Sequence, residues 1–224
     1  MADKYGKIYI LRHGETAWAL SGQHTGLTDI PLTQNGRMQG VHAGARLHQI
    51  HPGNFKKVLV SPSDRAQDTA RLAGYSDYKV IDDMHEWDYG RAEGHSTKHI
   101  QEVTGSKWNM FRDGVQNLPY SLGNGWRTET LPDGKKVEVH PTDGETLGEV
   151  YMRALTVLKD EVMPVVNNGD DVLLVAHSHY LRVFTAAFLG EDSRIASDFE
   201  LGTAEFSILS IRPDGKHVVS KWGL

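Results

Sequence analysis

The 224-residue sequence contains no cysteine. Disulfides, thiolate zinc sites and cysteine nucleophiles are therefore excluded, and the composition suits a reducing compartment. No apolar run approaches the length needed to cross a bilayer. The opening stretch MADKYGK lacks the apolar segment of a secretory signal, so the expectation is a cytoplasmic protein whose mature chain begins here. No run of lysine or arginine occurs, and the net charge is −5, which argues against nucleic acid as a generic partner because a duplex needs a basic face. Any recognition of an anion must be local. Internal repeats and low-complexity tracts are also missing.

What is present is ordinary for a globular chain, 39% hydrophobic and 24% charged, in an order that alternates strand with helix as an α/β domain does. Lys7 to Leu11 reads as a first strand. Thr33 is placed to cap a helix that carries Met38, Val41, Ala45 and Leu47 on one side. Lys57 to Val60 is a second strand, broken at Pro62 and followed by a helix capped by Ser63 or Asp64 that ends near Gly74. Tyr78 to Ile81 is a short third strand. Thr142 with Glu145 forms a capping box for a helix that carries Leu147, Val150, Tyr151, Ala154 and Leu158. The run DVLLVA (residues 171–176) predicts a strand covered on both faces, and a helix follows from about Tyr180 to Leu189. The closing AEFSILSI, RPDG and KHVVSKW predict an antiparallel hairpin at the sheet edge. The expected architecture is a three-layer α/β/α sandwich with a mostly parallel central sheet, in one domain over residues 1–224. An insertion at about 95–141 has a looser pattern with a small hairpin around LPDGKK, and is expected to act as a lid.

In open α/β sheets, ligands bind beyond the carboxyl ends of the strands, where helix N-termini gather. Arg12 and His13 end the first strand, Arg65 opens the helix after the second, Glu86 follows the third, and His177 ends the DVLLVA strand. Two guanidiniums, two imidazoles and a carboxyl on one rim suit a tetrahedral dianion. Guanidinium forks hold oxygens, imidazole can be a nucleophile at phosphorus, and a carboxylic acid can protonate a leaving group. The HEWDYG stretch and the residues just after it also offer His85, Asp88 and Glu93 in place of Glu86. A metal reading of the HSH pair, His177 and His179, lacks a nearby HxxxH with a carboxylate to complete a ligand set. His95 and His99 are read as an exposed helix face.

In order along the chain, LRHGETAW, SPSDRAQDTA, EWDYGRAEG, DGET and VAHSHYLR resemble the histidine phosphatase superfamily, the phosphoglycerate-mutase-like fold. GQHTGLTDIPLTQNG together with EWDYG is most similar to its broad-specificity sugar-phosphate and acid phosphatase branch. The resemblance implies His13 as the nucleophile, Arg12, Arg65 and His177 as ligands of the phosphoryl oxygens, and Glu86 as proton donor and later base. It also implies that Thr25, Gly26, Tyr89 and the N–H of Ser178 contact substrate, with no metal and no cofactor. His179 is read as an orienting or substrate-side residue, and Thr142 and Glu145 as supporting at most. Trp108, Phe111 and Trp126 either touch substrate or anchor the insertion. The implied activity is a metal-independent phosphatase of small phosphorylated metabolites, sugar phosphates above all, acting through a phosphohistidine. The alternatives are a 2,3-bisphosphoglycerate-dependent phosphoglycerate mutase and a binding module without turnover. No adjacent arginine pair of the kind mutases carry is present, leaving Arg112 or Arg127 as substitutes. Ser178 stands where glycine is common. The expected partner is a small phosphorylated metabolite, with neither nucleic acid nor membrane, and a homodimer as the assembly.

Overall fold

The computed structural model describes residues 4–123 and 125–224. Strand β1, Lys7–Arg12, leads through a short helix α1, Ala17–Ser21, to the long helix α2, Gln34–Ile50. Strand β2, Lys57–Val60, is followed by α3, Asp64–Leu72, and by a third strand β3 cut to Lys79–Val80. The insertion holds α4, Thr97–Thr104, α5, Met110–Asp113, and the expected hairpin of β4, Arg127–Thr130, and β5, Lys136–Val139. Helices α6, Leu147–Val157, and α7, Met163–Asn167, precede β6, Val172–Ala176, and α8, Ser178–Leu189. Strands β7, Phe206–Ile211, and β8, His217–Lys221, form the closing hairpin.

The six-stranded sheet runs β3-β2-β6-β1-β7-β8. Its first four members are parallel, and β7 and β8 add an antiparallel edge. Alternation along β1 sorts the two faces. Ile8 and Ile10 join the cluster packed under α6 and α8, whereas Tyr9 and Leu11 join the one packed under α2 and α3. This is the three-layer sandwich, with every residue of β6 buried between the layers. The insertion is tied into the larger cluster through Ile100, Trp108, Met110, Val115, Leu118 and Leu122. Its β4–β5 hairpin packs Leu131, Val137 and Val139 on Trp18 and Ile30.

Three local expectations are corrected. The apolar face expected on α2 is not the buried one: Met38 and Val41 are 51% and 50% exposed, and the buried side is Gly36, Gly40, Ala43, Gly44 and Leu47. Glycine lets the helix approach its neighbours at backbone distance. A Cβ at Gly44 would stand 2.3 Å from the Ala73 carbonyl oxygen, and one at Gly36 would stand 2.1 Å from the Glu15 carbonyl oxygen. The capping box lies one turn later than expected, on Thr146 and Glu149. The stretch TDGETLGE satisfies the pattern twice, and Gly144, at φ +79°, cannot serve in the first turn of a right-handed helix. The long helix after it is also interrupted by a π-turn over Leu158–Val162. Pro164 follows in the first turn of α7, and its missing N–H removes the donor that an unbroken ladder would need.

The surroundings of two helix glycines, one on α2 and one on α6, predict different outcomes for their replacement by alanine. Gly44→Ala should lower the thermal midpoint, since overpacking against backbone costs about 1–3 kcal/mol. Gly148→Ala, exposed in the first turn of α6 with no contact closer than 3.8 Å, should leave it unchanged or raise it by helix propensity, worth up to about 1 kcal/mol. Equal effects in thermal denaturation would contradict the close approach.

Candidate active site

The parallel register sets three strand ends side by side. Arg12 pairs with Ala176 and Val60 with Val175. The next backbone bonds extend the alignment, from His13 N–H to the Ala176 carbonyl at 2.9 Å and from Ser61 N–H to the Val175 carbonyl at 3.0 Å. His13 and His177 therefore emerge as neighbours, with ring centroids 5.2 Å apart in an edge-to-face arrangement. Gly14 follows His13 because a Cβ there would meet the Gly36 carbonyl oxygen at 2.3 Å.

The protonation of His13 is set by a backbone oxygen. Its Nδ1 lies 2.7 Å from the Gly14 carbonyl, which can only accept, so Nδ1 carries the hydrogen and Nε2 carries the lone pair. Burial, then the charges of Arg65 and Arg12, hold the ring well below the ordinary imidazole range, which keeps it neutral. His177 is N-cap of α8 and bonds through Nε2 to Ser61 Oγ at 2.7 Å. Burial, then Arg65, lowers it in the same way.

Arg65 is fixed by the loop at residues 25–28. Its Nη1 donates to the Thr28 carbonyl at 2.9 Å, and its Nη2 to the Gly26 carbonyl at 2.9 Å and the Thr25 carbonyl at 3.3 Å. The loop is gripped from the other side by Glu93, which accepts from Gly26 N–H and Thr28 N–H. Arg12 Nη1 donates to the Leu201 carbonyl at 2.7 Å. Three buried nitrogens at this rim have no partner among the described residues: Arg12 Nε and Arg65 Nε, which can only donate, and His177 Nδ1. Buried polar groups are normally paired, so the rim is built for an acceptor.

Glu86 sits at the N-terminus of α8. Its Oε1 accepts from Tyr180 N–H at 2.8 Å and Trp87 N–H at 2.9 Å, and its Oε2 from His179 N–H at 3.2 Å. Burial pushes this carboxyl up, but the His179 ring, the nearby His177 and the backbone donors outweigh burial and hold it well below the usual carboxylate range. Its backbone is anchored from behind. Arg153 donates to the carbonyls of Asp83, His85 and Glu86 while forming a bidentate pair with Glu145 at 2.9 and 3.0 Å. The DGET stretch thus holds the acid in place.

A cavity of about 290 Å³ opens over this rim and is lined by Arg12, His13, Thr25, Glu86, Tyr89 and Ser178. Arg65 and His177 are not among its lining residues but adjoin it, His177 through His13 and Arg65 through the Thr25 carbonyl, and each keeps an unpartnered nitrogen. Gly26 does not line it either and has its N–H taken by Glu93, so the structure gives it a role in shaping the loop. A Cβ there would meet the Trp87 carbonyl oxygen at 2.6 Å. Of the acids in HEWDYGRAE only Glu86 lines the cavity, since Asp88 accepts from Gly90 N–H and Thr142 Oγ1 and Glu93 holds the loop. His85 donates to the Glu86 carbonyl.

His179 lines the cavity, with Nδ1 2.6 Å from the Tyr89 hydroxyl. His177 and His179 turn to different partners and do not form a pair of ligands. Among the described residues no group of three or more histidine, aspartate or glutamate side chains is arranged to hold a metal ion. His95 and His99 stack on each other. Phe111 packs on His179 and Trp87, Trp108 packs edge-on to His24, and Trp126 is 67% exposed against His140. Neither Arg112, paired with Asp113, nor Arg127, paired with Glu129, lines the cavity. The sequence reading missed His24, Thr97 and Arg182, which do. Arg182 was accessible from its spacing three residues after His179 on α8, but His24 and Thr97 meet only through the fold.

The fold and the rim are those of an enzyme of phosphoryl chemistry. The sequence profile of the histidine phosphatase superfamily (branch 1) matches residues 8–133 and 124–222, and the chain belongs to that family. It is 31% identical over 209 residues to a sedoheptulose 1,7-bisphosphatase of Saccharomyces cerevisiae, covering 82% of this chain and 68% of that one. It is 30% identical to an acid phosphatase of Mycobacterium tuberculosis, covering 94% and 95%. The solved structure of an open reading frame product from M. tuberculosis superposes with a TM-score of 0.77 at 29% identity, covering 98% and 97%. Bacterial 2,3-bisphosphoglycerate-dependent phosphoglycerate mutases also match, at 27% to 30% identity.

The enclosed imidazoles predict how stability depends on pH. His13, His24, His177 and His179 are all lowered, burial being the first cause in each, with His24 brought to about 3. Each is harder to protonate in the folded chain than in the unfolded one, which takes up a proton near pH 6.5. Stability therefore falls on acidification, by up to about 1.4 kcal/mol per pH unit for each proton taken up. Glu93, raised to about 7 chiefly by burial, acts with the opposite sign but is one group against four. The urea midpoint should drop between about pH 7.5 and about pH 5, and His24→Gln should flatten the slope. A midpoint that does not move would mean the rings protonate inside the fold.

Proposed function

We propose that the chain is a metal-independent phosphatase of small phosphorylated metabolites, sugar phosphates foremost, that works through a phosphohistidine on His13. The observation that carries this reading is the 2.7 Å bond from His13 Nδ1 to the Gly14 carbonyl. It leaves a neutral Nε2 lone pair in a pocket walled by guanidiniums. Nε2 attacks phosphorus, the bond to the leaving alkoxide breaks, and charge on the equatorial oxygens is met by Arg12, Arg65, His177 Nδ1 and the N–H of Ser178. As the first residue of α8, Ser178 has no intrahelical acceptor for that N–H.

Glu86 protonates the alkoxide. In the free protein it is held ionised, and the negative charge of a bound phosphate beside it raises its proton affinity. In the second half of the reaction Glu86 takes a proton from water, which attacks the phosphohistidine and frees Nε2. Thr25, Tyr89 and Ser178 contact the substrate at the cavity wall. Polar groups from Gln23, His24 and Thr97 suit a hydroxylated leaving group. The yeast relative's name, a sugar bisphosphatase, supports the sugar phosphate class, and the absence of cysteine supports a cytoplasmic address.

Phosphoglycerate mutase, the second reading, shares these groups and returns the phosphoryl to a bound product instead of water. It is disfavoured because no adjacent arginine pair exists and neither Arg112 nor Arg127 lines the cavity. A module that binds without turnover would have no need of Glu86 so carefully supported.

A panel of phosphorylated metabolites should release inorganic phosphate without added 2,3-bisphosphoglycerate. In the same assay Glu86→Gln should slow alkyl esters by about 10²–10⁴-fold while an aryl ester such as p-nitrophenyl phosphate, whose leaving group hardly needs a proton, slows far less. Interconversion of phosphoglycerates with little phosphate release would favour the mutase, and equal slowing of both ester types would move the acid elsewhere.

A further inference from the structure

Among the described residues, Ala204 is the only one other than glycine with a positive φ, +55°. A left-handed backbone crowds the Cβ against the following carbonyl, so alanine holds that form only where its surroundings impose it. Ala204 is buried in the turn that leads into β7, and it is gripped from two sides. Toward the strand ends, its N–H donates to the His13 carbonyl at 3.0 Å, and the next carbonyl, that of Glu205, accepts from the backbone N–H of Arg12 at 3.0 Å. The Leu201 carbonyl, at the start of the same turn, accepts from Arg12 Nη1 and from Ser178 Oγ. The 201–205 turn therefore bonds to Arg12, His13 and Ser178, all at the catalytic rim. On the outer side, the Ala204 carbonyl accepts from Arg46 Nη2 at 2.9 Å. Arg46 reaches it from α2, with its guanidinium carbon 5.8 Å from the centre of the Phe206 ring. It lines a separate cavity between α2 and the turn that shares no lining residue with the catalytic one, so it does not touch a substrate bound there.

We propose that Arg46 is a positioning residue for the nucleophile: by fixing the Ala204 carbonyl it keeps the 201–205 turn in its left-handed form, and the turn holds the backbone of Arg12 and His13. The proposal rests on the phosphoryl-transfer reading of His13 given above and adds to it a residue from outside the cavity. If Ala204 relaxed out of the left-handed region, its N–H would leave the His13 carbonyl. The bond from His13 Nδ1 to the Gly14 carbonyl, one peptide further on, depends on the same stretch of backbone. A small displacement is enough, because misplacement by about 1 Å at a reacting centre can cost about 10²-fold in rate. A role confined to stability would lower the thermal midpoint and leave the ring of His13 as it is.

Arg46→Met removes the hydrogen bond and keeps the packing on Phe206, Arg46→Lys keeps the charge and a donor, and Arg37→Met, which removes another exposed arginine of α2 paired with Asp68, is the control. Each is compared with the unaltered chain in steady-state turnover of p-nitrophenyl phosphate and in the nitrogen NMR signals of its histidine rings, with the His13 signals identified by their loss in His13→Ala. Circular dichroism checks that each variant is folded. We expect Arg46→Met to lower kcat about tenfold and to shift or split the His13 ring signals. KM should change by less than about threefold, as for an interaction that matters mainly in the transition state. Arg46→Lys should show a smaller loss of the same kind, and it carries the comparison if the methionine form does not fold. Arg37→Met should change neither readout. Adding Ala204→Gly to Arg46→Met should recover most of the loss, since glycine takes the left-handed form without a clamp, whereas a lost surface contact unconnected with that conformation would not be recovered. Unchanged kcat and His13 signals in the Arg46 variants, equal losses in Arg37→Met, or no recovery with glycine at 204 would each overturn the assignment. If the unaltered chain does not turn over phosphomonoesters, the phosphatase reading fails by itself, and the His13 ring signals, which need no substrate, still decide whether Arg46 holds the ring in place.

Discussion

The parallel pairing of β1 with β6, and of β6 with β2, is the constraint from which the site follows. Because Arg12 is level with Ala176 and Val60 with Val175, the residues that come next, His13, His177 and Ser61, emerge along one edge of the sheet. A slip of one residue would send His13 to the opposite face, since side chains along a strand alternate. The apolar alternation of Ile8 to Leu11 between two separately packed layers fixes the register, so the hydrophobic core and the position of the imidazole are specified by the same contacts.

Around that edge, cations are kept in place by groups that are not themselves at the cavity. Glu93 holds the 25–28 loop through N–H groups, and the loop's carbonyls hold Arg65. Glu145 holds Arg153, and Arg153 holds the carbonyl of Glu86. Each chain of bonds ends on a residue that the proposed reaction uses. Burial, and after it the positive charge of Arg65, lowers His13 and His177 toward the neutral form a nucleophile requires, and the same charge favours a phosphate dianion.

Much of this was legible in the sequence because strand ends are visible as the points where apolar runs stop. DVLLVA and KIYIL mark β6 and β1, and the residues after them are the ones the structure brings together. The same reading misjudged α2, because its packing side is made of glycines that carry no hydrophobic signal, while the apolar Met38 and Val41 face outward. It placed the capping box one turn early because TDGETLGE holds two overlapping matches, and only backbone geometry at Gly144 separates them. Glu93 was read as a spare acid for catalysis. Its position behind the loop comes from a turn at Gly90–Ala92 that no spacing rule encodes. His24 and Thr97 reach the cavity from segments far apart in sequence, joined by a bond between Thr97 Oγ1 and His24 Nε2.

The account turns on which nitrogen of His13 is free to react. Rapid acid-free quenching of the protein during turnover of a phosphomonoester, followed by peptide mapping and phosphorus NMR, identifies both the modified residue and the ring atom. The structure predicts a transient phosphoryl group on His13 attached through Nε2, since Nδ1 is committed to the Gly14 carbonyl. A phosphoryl group on Nδ1, on another residue, or on none during steady turnover would contradict it.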